Sequence, residues 1–438
     1  MLPSETTATA PVPRLWRGES LALTIRWAFN AGYAVLDQLL FALSNFAINV
    51  VMARWLTPQD YAAFTLAYTI FLILGTVHTA LLADPLVVFG AGKYRDHLNR
   101  YHRSVLRAHW QLAGAASLLL GACGVALLAL NQREIGLALL AVAVASPFIL
   151  LLWLMRRSCY VRVEPHLAAA GSLAYLVILV AGAYMLYRGN LLSVAAAFAL
   201  MAIGGAAAAL LIRVTLSFPG SDTNRSSIDR EVATDHWAYG RWAIGTGLLG
   251  AVMLQLYYFV MPAWHMLEGT ATLKALTNCA MPALQSYWAL SVLMVPKLVR
   301  VRGTPAFGGL IRTLFTLYSI AALGYWALLG IFHGPLVRAM YGGRYESESS
   351  LLWGLGLLPL AAAGVSVVES ALRALARSDA IFRAYVFAAA ATIAIGVPLT
   401  FAWGVGGAIA GLLIAHAVAM LFMASALRRL AGEVAPEQ

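Results

Sequence analysis

Charge is scarce in this sequence. Asp, Glu, Lys and Arg make up 11% of its 438 residues, less than half the roughly 25% of an ordinary soluble domain. That polar share cannot cover a soluble surface. It excludes a cytosolic enzyme, a secreted disulfide scaffold and a disordered chain. Cysteine is scarce too. Cys123, Cys159 and Cys279 form no spaced pattern, so neither a disulfide framework nor a zinc site is suggested. No G-x-x-x-x-G-K-[ST] occurs, which excludes ATP hydrolysis by a P-loop. No metal-ligand cluster or Ser/His/Asp arrangement can be argued from spacing, so no catalytic residue, metal or cofactor is expected. The first 20 residues hold Pro11, Pro13, Arg14 and Arg17 but no apolar run, unlike a signal peptide.

What is abundant is hydrophobic sequence: 61% of residues, with a mean hydropathy of +0.77. About 20 apolar residues cross a bilayer as a helix. Twelve such stretches are read at 31–53, 61–83, 108–130, 135–155, 167–187, 190–212, 239–262, 275–296, 309–332, 350–370, 382–402 and 404–426. The fold class expected is an all-α polytopic membrane protein. Its expected divisions are an N-terminal segment 1–30 with an interfacial helix near Leu15–Phe29, a six-helix lobe 31–213, and a linker 214–238. A second six-helix lobe 239–426 and a tail 427–438 follow.

Orientation follows from basic residues in short loops. Alternate loops, counted from the N-terminus, carry 24 of the 30 Lys and Arg, and the opposite set carries 6. The split places both termini in the cytoplasm and accounts for most of the net charge of +11. Nucleic acid is therefore not an expected partner; anionic lipid head groups are.

The two halves echo one another. Trp27-Ala28-Phe29 opens the first span and Trp237-Ala238-Tyr239 the seventh. The second and eighth spans end at Asp84-Pro85-Leu86-Val87-Val88 and Val295-Pro296-Lys297-Leu298-Val299. An even number of spans per half gives parallel repeats, with a substrate path between halves that rock to expose it alternately.

Polar and ionisable groups inside lipid are costly and so become site candidates. The first span carries Asp37, with Gln38, Asn45 and Asn49 on one helical stripe. The second carries Tyr61, Thr65, Tyr68 and Thr69. The seventh carries Arg241 and Gln255, and the eighth Lys274, Asn278 and Gln285 on one face. Arg241 and Lys274 are either anion-binding groups or snorkelling anchors. Asp37 is either an ion-coupling or gating acid or half of a structural ion pair. Gln38, Asn45, Asn278 and Gln285 are candidate cavity donors or helix–helix hydrogen-bonding groups. Tyr257, Tyr258, Tyr287 and Trp288 offer stacking faces for a sugar or serve as core and belt aromatics. Asp84 and Glu369, near helix ends, and His416 read as structural.

The segment Leu36 to Gly92 resembles the start of bacterial polysaccharide-biosynthesis membrane proteins. These are the Wzx-type lipid-linked oligosaccharide flippases of the MOP (MATE-like) exporter superfamily. The resemblance is carried by the Asp37-Gln38 pair, by Ser44-Asn45-Phe46 and by Ala53-Arg54-Trp55-Leu56-Thr57-Pro58-Gln59-Asp60-Tyr61. Ala62 stands where the family commonly has glycine. Arg156 to Pro165 and Tyr239-Gly240-Arg241-Trp242 are similar to two further family segments. The resemblance implies two lobes around a central cavity with alternating access. It implies an oligosaccharide on undecaprenyl pyrophosphate as cargo, moved across the bacterial inner membrane, exopolysaccharide or O-antigen in type. A pyrophosphate fits Arg or Lys, and Tyr, Asn and Gln can bond sugar hydroxyls. H⁺ or Na⁺ is a candidate coupling ion, and polysaccharide polymerase or export machinery a candidate partner.

Three other readings compete. A cation-coupled multidrug exporter would need a second acid at mid-membrane beside Asp37, and none is found in the first six spans. A peptidoglycan-precursor flippase usually has fourteen spans. A scaffold for a synthesis complex would make cavity charges dispensable.

Overall fold

The computed structural model describes residues 21–216, 226–375 and 377–433. They form helices and turns, with no strand among the described residues. In the first half, α1 spans Leu21–Trp55, α2 Pro58–His78, α3 Asp84–Ala91 and α4 Leu98–Ala129. α5 (Arg133–Val161), α6 (Pro165–Arg188) and α7 (Val194–Leu216) complete it. A π-helical turn, Thr79–Ala83, joins α2 to α3.

The second half holds α8 (Ser226–Gln255), α9 (Tyr257–Ala263), α10 (Leu267–Arg300), α11 (Pro305–Ile331) and α12 (His333–Tyr341). α13 (Leu352–Leu355), α14 (Leu357–Ala374), α15 (Ser378–Ala391) and α16 (Val397–Glu433) follow.

Nine described helices are long and apolar enough to cross a membrane, and Ala243–Gln255 of α8 with α9, bent by 49°, passes the same test as a pair. The last of the nine runs from Ser378 to Leu430. It breaks at Trp403 and Gly404, where Gly404 has φ 55° and ψ −128°, a region open essentially to glycine. It is therefore two spans. The 34-residue α10 is also long enough to span, which makes about twelve.

The turn in the family-like motif is capped by its own residues. The Thr57 hydroxyl accepts from the Asp60 amide at 3.1 Å, and Pro58 occupies the first turn, where its missing N–H costs nothing.

Packing repeats between halves. In the first, the fourth span (α5) touches the second, third and sixth (α2, α4, α7). In the second, the tenth span (α14) touches the eighth, ninth and twelfth (α10, α11, α16). The pair α1·α6 has its counterpart in α8·α15, and α6·α7 in α15·α16. Between halves, α2 meets α10, α1 meets α10 and α2 meets α8. That pattern is two lobes of one topology meeting along α2 and α10.

Three features differ from the sequence reading. The segment 21–29 is the first part of α1 and runs unbroken into the span, while residues 15–20 lie outside the described residues. Part of the expected linker is helical, because α8 begins at Ser226. α12, between the ninth and tenth spans, is too short to register as a span. It ends on Gly342 in the left-handed region (φ 65°).

One close approach makes a sharp prediction. The Tyr257 hydroxyl sits where a Cβ on Gly396 or Gly411 would lie, 2.2 Å away in each case. Gly396→Ala should destabilise the protein by about 1–3 kcal/mol through overpacking. Tyr257→Phe, which removes that oxygen, should recover part of the loss in a thermal melt.

Candidate functional site

The lobes meet at two ends. At the Trp55 end, Arg54 donates to the Ala339 carbonyl at 3.0 Å, Arg344 donates to the Leu56 carbonyl, and Gln59 donates to Glu268 at 2.9 Å. Just inside this seam lies a polar cluster drawn from four helices. Asn278 on α10 donates to the Tyr61 hydroxyl on α2 at 3.0 Å. The Tyr68 hydroxyl donates to Asn45 Oδ1 on α1 at 3.2 Å, and Asn49 donates to the Asn45 carbonyl at 2.8 Å. The Lys274 ammonium on α10 sits 5.5 Å from the ring centroids of Tyr68 and Tyr258.

Lys274 is 7% exposed and has no salt-bridge partner among the described residues. Two desolvated cation–π contacts supply about 2 kcal/mol each at best, against several kcal/mol to bury an ammonium. Asn49 Oδ1, Thr65 Oγ1 and Thr69 Oγ1 are buried nearby on α1 and α2 without a hydrogen-bond partner. The site thus holds a cation short of compensation, acceptors short of donors, and two aromatic faces. It suits an anionic group carrying hydroxyls.

The other sequence candidates fall elsewhere. Asp37 is fully buried inside the first lobe. Arg156 Nε and a terminal nitrogen each reach its oxygens at 2.8 Å. Tyr160 and Ser172 donate to the same carboxylate at 2.5 Å each. The Arg156 guanidinium also stacks 3.8 Å above the Phe41 ring. Gln38 and Arg241 are exposed and do not join the Lys274 cluster. Gln285 is half-buried. It lies eleven residues beyond Lys274 on α10, about 16 Å along the axis.

Asn45, Lys274 and Asn278 are thus brought together. Of the aromatics, Tyr258 lines the cluster, while Tyr257 and Tyr287 pack in cores. The side chain of Trp288 lies outside the described residues. Spacing gave no sign of Arg156 as the partner of Asp37.

At the opposite end, the start of α8 straps onto the first lobe. Lys93 pairs with Glu231 at 2.8 Å and Asp235 at 2.7 Å, and Arg107 with Asp229 at 2.5 Å. Tyr94 donates to Asp235 at 2.6 Å. Partial burial raises the Asp235 carboxyl, and the Lys93 and Tyr94 donors outweigh it, holding Asp235 below the usual carboxylate range. His236 bonds Tyr101 and the Leu81 carbonyl, each at 2.7 Å.

This two-lobed arrangement is similar in fold to solved transporters of the MOP superfamily. Among solved structures, the chain is similar to an inward-facing multidrug resistance MATE family transporter of that superfamily. The TM-score is 0.70 at 12% identity, over 92% of this chain and 100% of that one. An outward-facing MATE transporter matches with TM-score 0.67 at 11% identity, over 91% and 96% of the two chains. The lipid II flippase MurJ, in an inward closed conformation, matches with TM-score 0.66 at 13% identity, over 92% and 87%. All three are described as transporters or flippases. No protein-family model matches the sequence, and no curated protein matches it significantly.

Proposed function

We propose that this protein flips an undecaprenyl-pyrophosphate-linked oligosaccharide across the bacterial inner membrane by alternating access between its lobes. The observation that carries the reading is the Lys274 cluster at the lobe interface, a buried cation without a carboxylate among tyrosine, asparagine and threonine. Such a site favours an anionic, hydroxyl-rich head group and disfavours the cationic drug of the competing exporter reading. The lipid tail stays in the bilayer. The Lys93 end is read as cytoplasmic, with both termini there, and residues 31–213 and 239–426 as the lobes. Arg241, exposed on α8, is the candidate first contact for pyrophosphate. H⁺ or Na⁺ coupling and contact with polysaccharide polymerase or export machinery belong to the same reading.

The test is deletion of the gene, extraction of undecaprenyl-linked sugars and assay of surface polysaccharide. Accumulated linked oligosaccharide with loss of surface polymer is the expected result. Intact polymer with new sensitivity to cationic dyes would replace it with the multidrug reading. Within the expected outcome, Arg241→Ala should lower flipping at wild-type protein levels; normal flipping would remove Arg241 from the path.

A further inference from the structure

Two histidines lie buried in the first lobe, away from the Lys274 cluster. His78 is the last residue of α2, directly before the π-helical turn, and His109 faces it from α4. His78 Nε2 and His109 Nδ1 are 3.0 Å apart, and the rings are nearly perpendicular at 88°. Both residues are 0% exposed. Their outer nitrogens, His78 Nδ1 and His109 Nε2, have no hydrogen-bond partner.

A neutral pair carries two N–H groups and two bare nitrogens. One of each meets at the 3.0 Å contact. Whichever tautomers are chosen, one N–H and one bare nitrogen are left outside that contact, with only the Pro147 main chain beside His109 to receive the N–H. One added proton turns the central contact into a charge-assisted hydrogen bond, the stronger kind. It also converts the bare outer nitrogen into an N–H. Ionisable groups at this depth are rare and mark proton or substrate paths, and imidazole is the side chain suited to exchange near neutral pH. A metal ion would find only these two ligands, because no group of three His, Cys, Asp or Glu occurs among the described residues.

The surroundings leave the pair to itself. The one titratable group acting on His78 is His109, and the main chain at Pro147 on α5 faces His109. The Trp110 indole meets the His109 ring edge-on at 5.1 Å. Charged groups on adjoining helices lie elsewhere: Arg156 pairs with Asp37 and Arg107 with Asp229, and Asp84 feels the charges of Arg157 and Arg373. On α8, His236 bonds the Leu81 carbonyl, and Tyr239 and Arg241 are exposed.

The pair also abuts the seat of α8. α8 packs on the π-turn so closely that a Cβ on Gly240 would lie 2.7 Å from the Ala80 carbonyl, and one on Gly247 2.5 Å from Thr76. π-turns of this kind concentrate at functional sites.

We propose that His78 and His109 form a proton-binding site, one proton per pair, whose occupancy changes how the π-turn seats α8. Its place in a transport cycle rests on the function proposed above; the binding of the proton does not. The test therefore uses the purified full chain in lipid nanodiscs, without cargo. An imidazolium beside an indole quenches its fluorescence. The Trp110 signal, taken as the difference from Trp110→Phe, is titrated between about pH 8 and about pH 4. One quenching step is expected. His109→Gln should abolish it, and His78→Gln should shift its midpoint by about one pH unit or more. An unchanged midpoint in His78→Gln overturns the shared proton.

The unaltered chain, ¹⁵N-labelled at histidine, gives a reading that needs no variant. The pair should take up its proton in a single step, and a pair neutral down to about pH 4 overturns the proposal. Amide exchange over residues 226–240, corrected for intrinsic rate, should depend on pH in the wild type and not in the variants. A pH-independent wild type removes the link to α8.

Discussion

Asp37→Ala should cost about 3–5 kcal/mol, the effect of breaking a buried ion pair by removing one partner. Most of the folded protein should then be lost from the membrane. The Arg156 guanidinium would remain buried against Phe41 with no carboxylate. Tyr160 and Ser172 would each lose an acceptor. Arg156→Ala should be as damaging, because it strands the carboxylate. Removing both charges together is different. Asp37→Leu with Arg156→Met should recover most of the stability, since an apolar replacement of a whole buried pair is often neutral. Melting in detergent measures this directly.

The same double variant decides what Asp37 is for. If it folds and still flips lipid-linked oligosaccharide, the carboxylate is a clamp holding α1 against α5 and α6. If it folds and does not, Asp37 keeps the ion-coupling role that its place in the first span suggested.

Lys274→Gln should behave in the opposite sense, with stability kept and function lost. One or two charge-assisted hydrogen bonds to a cargo phosphate or carboxylate are worth about 1.5–3 kcal/mol each. Flipping should therefore fall by about tenfold to a hundredfold or more. Lys274→Arg should retain part of it. Lys274→Met should raise the melting temperature, because it ends the burial of an ammonium held only by two distant rings. A stabilised, inactive variant is the signature of a group kept for ligand. A destabilised one would make Lys274 a structural member of the α2–α10 seam.

Much of the architecture could be read from sequence because lipid imposes it. A run of 20 apolar residues has few alternatives to a spanning helix, and the Trp403-Gly404 break falls between the eleventh and twelfth predicted spans. The candidate site was legible one helix at a time. Helical spacing put Lys274 and Asn278 on one face and Asn45 and Asn49 on another. It could not say that these faces meet, so Gln38 and Arg241 looked equal to Asn45 and Lys274. Pairings at long range were invisible: Asp37 and Arg156 are 119 residues apart, and His78 and His109 are 31 apart. The acidic start of α8 looked like a solvated linker because its partners, Lys93 and Arg107, lie in the other half.

That last feature bears on how separable the halves are. By sequence symmetry α8 opens the second half. By contact its first turns seal the first, with Val232 2% exposed and the ion pairs to Lys93 and Arg107 holding it there. A fragment ending at residue 216 would uncover the apolar surface of α2, the π-turn and α4 that α8 protects. The two halves are interchangeable in topology but not as building blocks. The α2, π-turn and α4 surface stays covered only with the start of α8 attached, and a chimera joined at the chain midpoint, ahead of Ser226, would part the first half from that cover.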